Sequence, residues 1–255
     1  MNLRLLALAS CALFSAAFAR ADDYAFKEPF SRAAAFNADG KVSLQNVNGE
    51  VTVTAWDKNE IRIEGEKSAR TEEELKAIDL TIELSANRAE IRVRLPKRSG
   101  GWFGGNTIRA NVRFKLMVPA TASLDGINTV NGSVHVQDVR GPARLETVNG
   151  QVHAENLGGP AHVRTVNGSI KASFAQIAAD QKLSFNTVNG SIEVALPSDA
   201  GADVHASVVN GDIDCDFPLQ LQGRIGRKSI NGRIGDGRAS IQAESVNGGI
   251  HLRKR

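Results

Sequence analysis

A four-residue repeat restricts the possible folds of this chain more than any other sequence feature. Thr-Val-Asn-Gly occurs at residues 129–132, 147–150, 165–168 and 187–190. Variants that keep an apolar residue before Asn-Gly occur at 46–49, 208–211, 229–232 and 245–248. A repeat of this kind indicates an architecture of stacked, similar units, and it is therefore interpreted before local preferences for helix or strand.

From residue 129 to 173 the chain has a nine-residue period. The units read TVNGSVHVQ, DVRGPARLE, TVNGQVHAE, NLGGPAHVR and TVNGSIKAS, with glycine fourth and apolar residues second, sixth and eighth. Two units separate successive asparagines by eighteen residues here, and the later steps are 22, 21, 21 and 16 residues. This pattern predicts an all-β, single-domain β-solenoid with rungs of about 18–22 residues.

A β-meander is the alternative, because Asn-Gly is also a strong hairpin signal. A hairpin would expose the second residue of every unit, whereas a bend at Asn-Gly would let that residue point inward. The solenoid therefore predicts buried side chains at Val130, Val139, Val148, Leu157 and Val166. It also predicts that Val148→Asp unfolds the protein and that His153→Asp is tolerated.

The solenoid gives the asparagines a structural role. Residues at one corner of successive rungs lie about 4.8 Å apart, so their amides can hydrogen-bond in a ladder. The predicted ladder contains Asn48, Asn131, Asn149, Asn167, Asn189, Asn210, Asn231 and Asn247.

The repeats occupy residues 121–252, and the preceding segment 22–120 departs from the pattern. Alternating runs at 60–65, 80–84, 89–96 and 107–119 predict strands, and 71–77 predicts a helical turn capped by Thr71. We expect longer, irregular rungs here, within one domain that spans 22–255.

Residues 1–21 have the order of a signal peptide: Arg4, then an apolar run, then Ala-Arg-Ala before Asp22. Export to the periplasm or the exterior is expected, and no later segment is long enough to form a transmembrane helix. The run "LASC" at 8–11 offers lipidation of Cys11 as an alternative to cleavage before Asp22. Cleavage leaves Cys215 as the single cysteine, with no disulfide and an expected buried position.

Three stretches together resemble the DUF4097 family of exported β-strand-repeat proteins, which are often labelled adhesins. They are GEVTVTAWDKNEIRIEG at 49–65, the Thr-Val-Asn-Gly units, and the C-terminal segment 223–252. The resemblance implies a β-solenoid, a setting in the bacterial cell envelope and no catalytic motif.

Two groups of polar residues are candidates for metal binding or catalysis. One outward column would contain His135, His153, Lys171, Glu193 and Asp214, where paired histidines would need a third ligand to hold a metal. Asp212, Asp214 and Asp216 lie on one side of a strand, and with Glu193 they raise the alternative of a polysaccharide-active enzyme. Solvated side chains on a polar face explain both groups better, so no catalytic, cofactor or metal residue is assigned.

Two further segments suggest contacts with a partner. Trp102 and Phe103 lie in the glycine-rich run 100–105, and they would either contact a partner or cover an end of the solenoid. The stretch 222–255 holds eight basic and two acidic residues, among them Arg224, Arg227, Lys228 and Arg233. These cations would either bind anionic groups or deter stacking at the last rung.

The predicted function is a non-catalytic, adhesin-like interaction or structural surface of the envelope. Its expected partner is an envelope glycan, lipid surface or protein, with no cofactor. A lipid-anchored component of the envelope stress response is a further alternative. Export and the near-zero net charge left after removal of residues 1–21 argue against nucleic acid.

Overall fold

The structure is a computed structural model that describes residues 24–95, 110–221 and 228–255. The described residues form two β-sheets that face each other across a continuous apolar core. Buried and exposed side chains alternate along the strands, as expected for strands with one face on a core and one on solvent. The prediction of an all-β solenoid is confirmed.

The ten-stranded sheet has the order β1-β4-β7-β3-β9-β11-β13-β15-β21-β17. Its strands are β1 (Phe26–Ala35), β3 (Val51–Trp56), β4 (Glu60–Ala69), β7 (Ala110–Pro119), β9 (Val134–Gln137), β11 (Val152–Leu157), β13 (Ile170–Phe174), β15 (Ile192–Leu196), β17 (Ile213–Cys215) and β21 (Ile250–Lys254).

The eleven-stranded sheet has the order β18-β19-β16-β20-β14-β12-β10-β8-β2-β6-β5. Its strands are β2 (Lys41–Gln45), β5 (Asp79–Leu84), β6 (Arg88–Arg94), β8 (Ser123–Asn131), β10 (Ala143–Asn149), β12 (Ala161–Asn167), β14 (Lys182–Asn189), β16 (Ala202–Asn210), β18 (Gln220–Leu221), β19 (Ser229–Ile234) and β20 (Ala239–Asn247).

One rung consists of a strand in each sheet. The chain crosses the eleven-stranded sheet as β10, turns at Gly150, crosses the other sheet as β11 and returns as β12. β12 lies parallel to β10 with Leu145 beside Val163, so equivalent residues of successive rungs are neighbours. Insertions project without breaking the stack: the Gln181 amide fastens the segment after β13 by donating to Gly159 O at 2.6 Å.

The N-terminal end has the expected longer strands, but several of them pair antiparallel. β1 and β7 both pair antiparallel with β4, and β5 pairs antiparallel with β6. The three-residue connection between β5 and β6 explains their direction, because strands joined by a tight turn must run antiparallel. The helix α1 (Glu72–Lys76) begins after Thr71, whose side chain accepts from the Glu74 amide at 3.2 Å, as predicted.

The C-terminal rungs do not stack in sequence order. β20 lies between β14 and β16, and β21 lies between β15 and β17, so the last rung is inserted before the preceding one. The insertion is possible because every rung presents the same residues at the same corner. Meanwhile β19 pairs antiparallel with the outer edge of β16. Of the two roles considered for the basic stretch 222–255, deterrence of stacking at the last rung does not apply to Arg253 and Lys254, because they belong to β21, which lies between β15 and β17.

Candidate functional site

Each position of Thr-Val-Asn-Gly forms its own column along the corner where the eleven-stranded sheet turns into the other sheet. We call this corner, with the outer face of β8, β10, β12, β14, β20 and β16 beside it, the VNG face. The threonines are buried, and each hydroxyl donates to a glycine carbonyl of the neighbouring rung. Thr147 Oγ1 lies 2.9 Å from Gly132 O, and Thr165 Oγ1 lies 3.0 Å from Gly150 O.

The glycine column is required by close contact between backbones. A Cβ on Gly150 would overlap the carbonyl oxygen of Gly132, and a Cβ on Gly168 would overlap that of Gly150. Only glycine fits where successive turns stack this closely. The threonine hydrogen bonds lie at the same turns, so these two columns fix how the rungs stack.

The asparagine side chains form a hydrogen-bonded ladder. Each amide nitrogen donates to the Oδ1 of the next asparagine at 2.8–2.9 Å, always in the same direction. In spatial order the ladder contains Asn210, Asn247, Asn189, Asn167, Asn149, Asn131 and Asn48. It ends where Asn48 Nδ2 donates to Ala110 O at 2.9 Å.

Asn231 does not belong to this ladder, contrary to expectation. It lies within β19, where its Oδ1 is 2.9 Å from His205 Nδ1. The reason is the direction of the strand: β19 runs antiparallel to β16 and places Asn231 opposite His205, away from the corner.

The valines of the repeat form an exposed stripe, which corrects the predicted interior position. Val130, Val148, Val188, Val246 and Val209 are 36–55% exposed, and Val166 is half-buried. The strand stays extended through Thr-Val-Asn, so threonine points inward and valine outward. At the other corner Val139 and Leu157 are buried as predicted, because Asp138 and Asn156 adopt left-handed backbone angles just before them.

Polar side chains flank the stripe on the side away from the ladder. Four parallel strands contribute Arg144 and Glu146, His162 and Arg164, Ser184 and Asn186, and Gln242 and Glu244. The Arg144 guanidinium lies 2.7 Å from Glu146, so part of the charge is internally paired. Between these side chains and the valines runs a groove of about 430 Å³ from Arg164 to Val209. A second groove of about 320 Å³ runs from Val130 to Val166.

The histidine column lies on the opposite, ten-stranded sheet. His135 and His153 have ring centroids 5.9 Å apart, and His153 Nε2 lies 2.9 Å from Glu155. Within the described ranges no group of three or more His, Cys, Asp or Glu side chains has the arrangement of a metal site. The inserted strand β21 adds His251 to this column, between Glu193 and Asp214.

The insertion separates the acidic residues of the predicted enzymatic face. Glu193 and Asp214 lie on opposite sides of His251 rather than on adjacent strands. His251 Nδ1 is 3.0 Å from Asp214, Arg253 is 3.4 Å from Asp216, and Lys171 is 3.6 Å from Glu193. These carboxylates thus have cationic or ionisable neighbours and do not converge on a common point.

The residues that the sequence suggested as contacts with a partner fall into two groups. Trp102, Phe103, Arg224 and Arg227 lie outside the described residues. Lys228 donates to the Val209 carbonyl oxygen, so it helps to attach the outer edge of the sheet.

Arg233 also has an internal partner. It forms a bidentate pair with Asp203 at 2.7 and 3.1 Å, which attaches β19 to β16 and holds the pKa of the Asp203 carboxyl below its usual value.

Known proteins share this sequence pattern and this fold. The model of the DUF4097 family, described as Toastrack, matches residues 122–253, which is just over half of the chain. The chain belongs to the DUF4097 family. Comparison with curated proteins gives no match. Among the described residues of this DUF4097 chain, no helix has the length and apolar character needed to cross a membrane.

A solved structure shares the architecture of this DUF4097 chain. A "putative cell adhesion protein" from Clostridium sporogenes is 14% identical, with a TM-score of 0.51 over 89% of this chain and 100% of that one. At this identity the likeness shows the fold alone. A "putative adhesin" from Bacteroides fragilis is 12% identical, with a TM-score of 0.37 over 88% of this chain and 97% of that one. A "putative lipid binding protein" from Parabacteroides distasonis is 13% identical, with a TM-score of 0.32 over 88% and 96%.

Proposed function

We propose that this chain is a non-catalytic, adhesin-like binding protein of the bacterial cell envelope, and that the VNG face is its binding surface. The observation that carries the proposal is the valine stripe. Of the six large apolar side chains that are exposed in the described residues, five are valines of this one line. Isolated exposed apolar residues are ordinary, whereas a contiguous exposed patch is typical of a binding site.

The fold itself does not require valine at these positions. The threonine and glycine columns stack the turns and the asparagine ladder joins them, while the valine side chains point to solvent. A polar β-branched residue would serve the strand equally well and would avoid exposing apolar surface. The recurrence of valine is therefore better explained by contact with a partner than by stability.

Two observations support a non-catalytic role. The acidic side chains of the ten-stranded sheet are dispersed among basic neighbours, as described above. The VNG face contains valines, amides and charged side chains. Its Ser184 and His162 are opposite each other on neighbouring strands, but no hydrogen bond joins this hydroxyl to this imidazole. Catalysis would need such groups in hydrogen-bonding reach of one another.

The location in the envelope rests on the leader-like residues 1–21. The mass of the mature N-terminus tests it: cleavage before Asp22 is expected, and a diacylated Cys11 would instead make the protein membrane-anchored. The candidate partners are an envelope glycan, a lipid surface or a protein, and not nucleic acid.

The experiment for this function is co-sedimentation of the purified protein with isolated cell envelopes. We expect binding that is lost in Val148→Asp/Val188→Asp, which places two carboxylates in the stripe. The matched control Gln137→Asp/His153→Asp adds the same number of carboxylates on the opposite sheet and is expected to bind normally. Equal loss in both variants would refute a role for the VNG face.

The enzymatic alternative needs its own assay. Incubation with acidic polysaccharides is expected to give no unsaturated products. Turnover that disappears in Asp214→Ala would overturn the non-catalytic proposal.

A further inference from the structure

We infer that the ligand of the VNG face is an extended, uncharged, β-linked glycan that lies along the solenoid axis with about one sugar on each strand. The inference rests on the proposed function and deepens it by naming the class of ligand.

The shape of the apolar surface is the first argument. The stripe is one side chain wide and follows the axis through Val47, Val130, Val148, Val166, Val188, Val246 and Val209. Six of these valines lie on adjacent strands and Val47 follows β2, so the seven define a line of about 29 Å, because neighbouring strands lie about 4.8 Å apart. A narrow linear ligand matches this surface, whereas a broad protein interface would extend over several apolar columns.

The asparagine ladder is the second argument. A primary amide has two N–H donors and an oxygen with two lone pairs, and the ladder uses one donor on each side chain and one lone pair on each except Asn210, where it begins. The asparagines from Asn131 to Asn210 are exposed, so a row of spare donors and acceptors borders the valines. Hydroxyl groups can both donate to and accept from such a row, and an acyl chain can do neither.

The repeat distance is the third argument. The valines and amides recur at the strand spacing of about 4.8 Å. A pyranose linked through opposite sides of its ring advances by a similar distance. An extended polypeptide advances by about 3.3 Å per residue, so its side chains would drift out of step with the valines. A glycan can instead place one ring on each strand, with alternate ring faces on valine and ring hydroxyls on asparagine.

The charge of the flanking columns is the fourth argument. Between β10 and β20 they contain two arginines and two glutamates, and Arg144 pairs with Glu146 at 2.7 Å. A surface for an acidic polymer would present an excess of arginine and lysine. The balance of charge therefore favours an uncharged chain, such as a glucan or a polymer of N-acetylglucosamine.

The test is isothermal titration calorimetry with cello-oligosaccharides and chito-oligosaccharides of increasing length. Affinity is expected to rise with length and to level off at about six or seven sugars, when the stripe is filled. Val148→Asp/Val188→Asp should weaken binding of the longest oligosaccharide by at least about tenfold. Gln137→Asp/His153→Asp should leave it within about twofold, and matching circular dichroism spectra would show that both variants fold.

Other occupants would give different results, and each would overturn the inference. These results are tighter binding of polygalacturonate than of the neutral series, binding of phosphatidylcholine vesicles through the stripe, or a dimer that Val148→Asp/Val188→Asp dissociates. Absence of binding to every neutral oligosaccharide would also overturn it. If co-sedimentation with envelopes still depends on the stripe in that case, the proposed function stands and only the ligand class fails.

Discussion

The buried threonine column provides a quantitative prediction of how the repeat contributes to stability. Thr147 is buried, and its hydroxyl donates to Gly132 O at 2.9 Å. Thr147→Val keeps the shape of the side chain but removes this donor. Loss of a buried hydrogen bond whose acceptor remains costs about 1–3 kcal/mol. Burial of a methyl group in place of the hydroxyl returns about 0.8 kcal/mol, so we expect a net loss of about 0.2–2 kcal/mol.

Val148→Thr is the matched control, because it makes the reverse change one residue later. Val148 is 38% exposed, so the added hydroxyl remains hydrated and the change should stay within about 0.5 kcal/mol. Urea denaturation followed by circular dichroism measures both variants, provided that the slope with denaturant matches the wild type. A larger loss for Val148→Thr than for Thr147→Val would refute the assignment of inside and outside.

The other predictions concern single sites. Gly150→Ala should destabilise the protein by about 1–3 kcal/mol in the same assay, because its Cβ would overlap Gly132 O. Gly158→Ala, whose Cβ would lie 3.3 Å from the Arg140 side chain, should cost much less. The pKa of Asp203 is lowered by its hydrogen bond with Arg233, so its contribution to stability is complete above pH 3.8 and is lost as the pH falls through the lowered pKa. Asp203→Asn should remove that part of the acid transition in a pH series of unfolding curves. Burial raises the pKa of the Cys215 thiol, so Ellman's reagent at pH 8 should react more slowly with the folded than with the unfolded protein, and equal rates would contradict this burial.

The sequence predicts the solenoid because its nine-residue period specifies both corners of a rung. It does not predict at which of the two corners the backbone bends before the second residue of the nine-residue unit. At Asp138 and Asn156 a left-handed residue begins the turn, so the next side chain points inward. At the VNG corner the turn begins later, and the valine keeps the outward direction of an extended strand. The sequence does contain the information needed, because side chains alternate between faces along a strand, and alternation from a buried Leu145 places Val148 on the outer face.

The order of the C-terminal rungs is a second limit of prediction. The units that begin at Thr187, Val208 and Ser245 present equivalent corner residues, and any of them can stack on any other. The sequence pattern therefore specifies that these rungs stack on one another, but not the order in which they stack. The inserted rung depends on long-range pairing. It places His251 beside Asp214, so the carboxylates that the local sequence had suggested as one acidic face are separated.

Cysteine labelling tests the four-column arrangement most directly. Thr147→Cys, Val148→Cys, Thr187→Cys and Val188→Cys would each be made in a Cys215→Ala background, and reaction with a maleimide would be timed under native conditions. We predict rapid labelling at positions 148 and 188 and slow labelling at 147 and 187, with all four alike after unfolding. Rapid labelling at the threonine positions together with protection at the valine positions would contradict the exposed stripe, and with it the binding surface proposed for this protein.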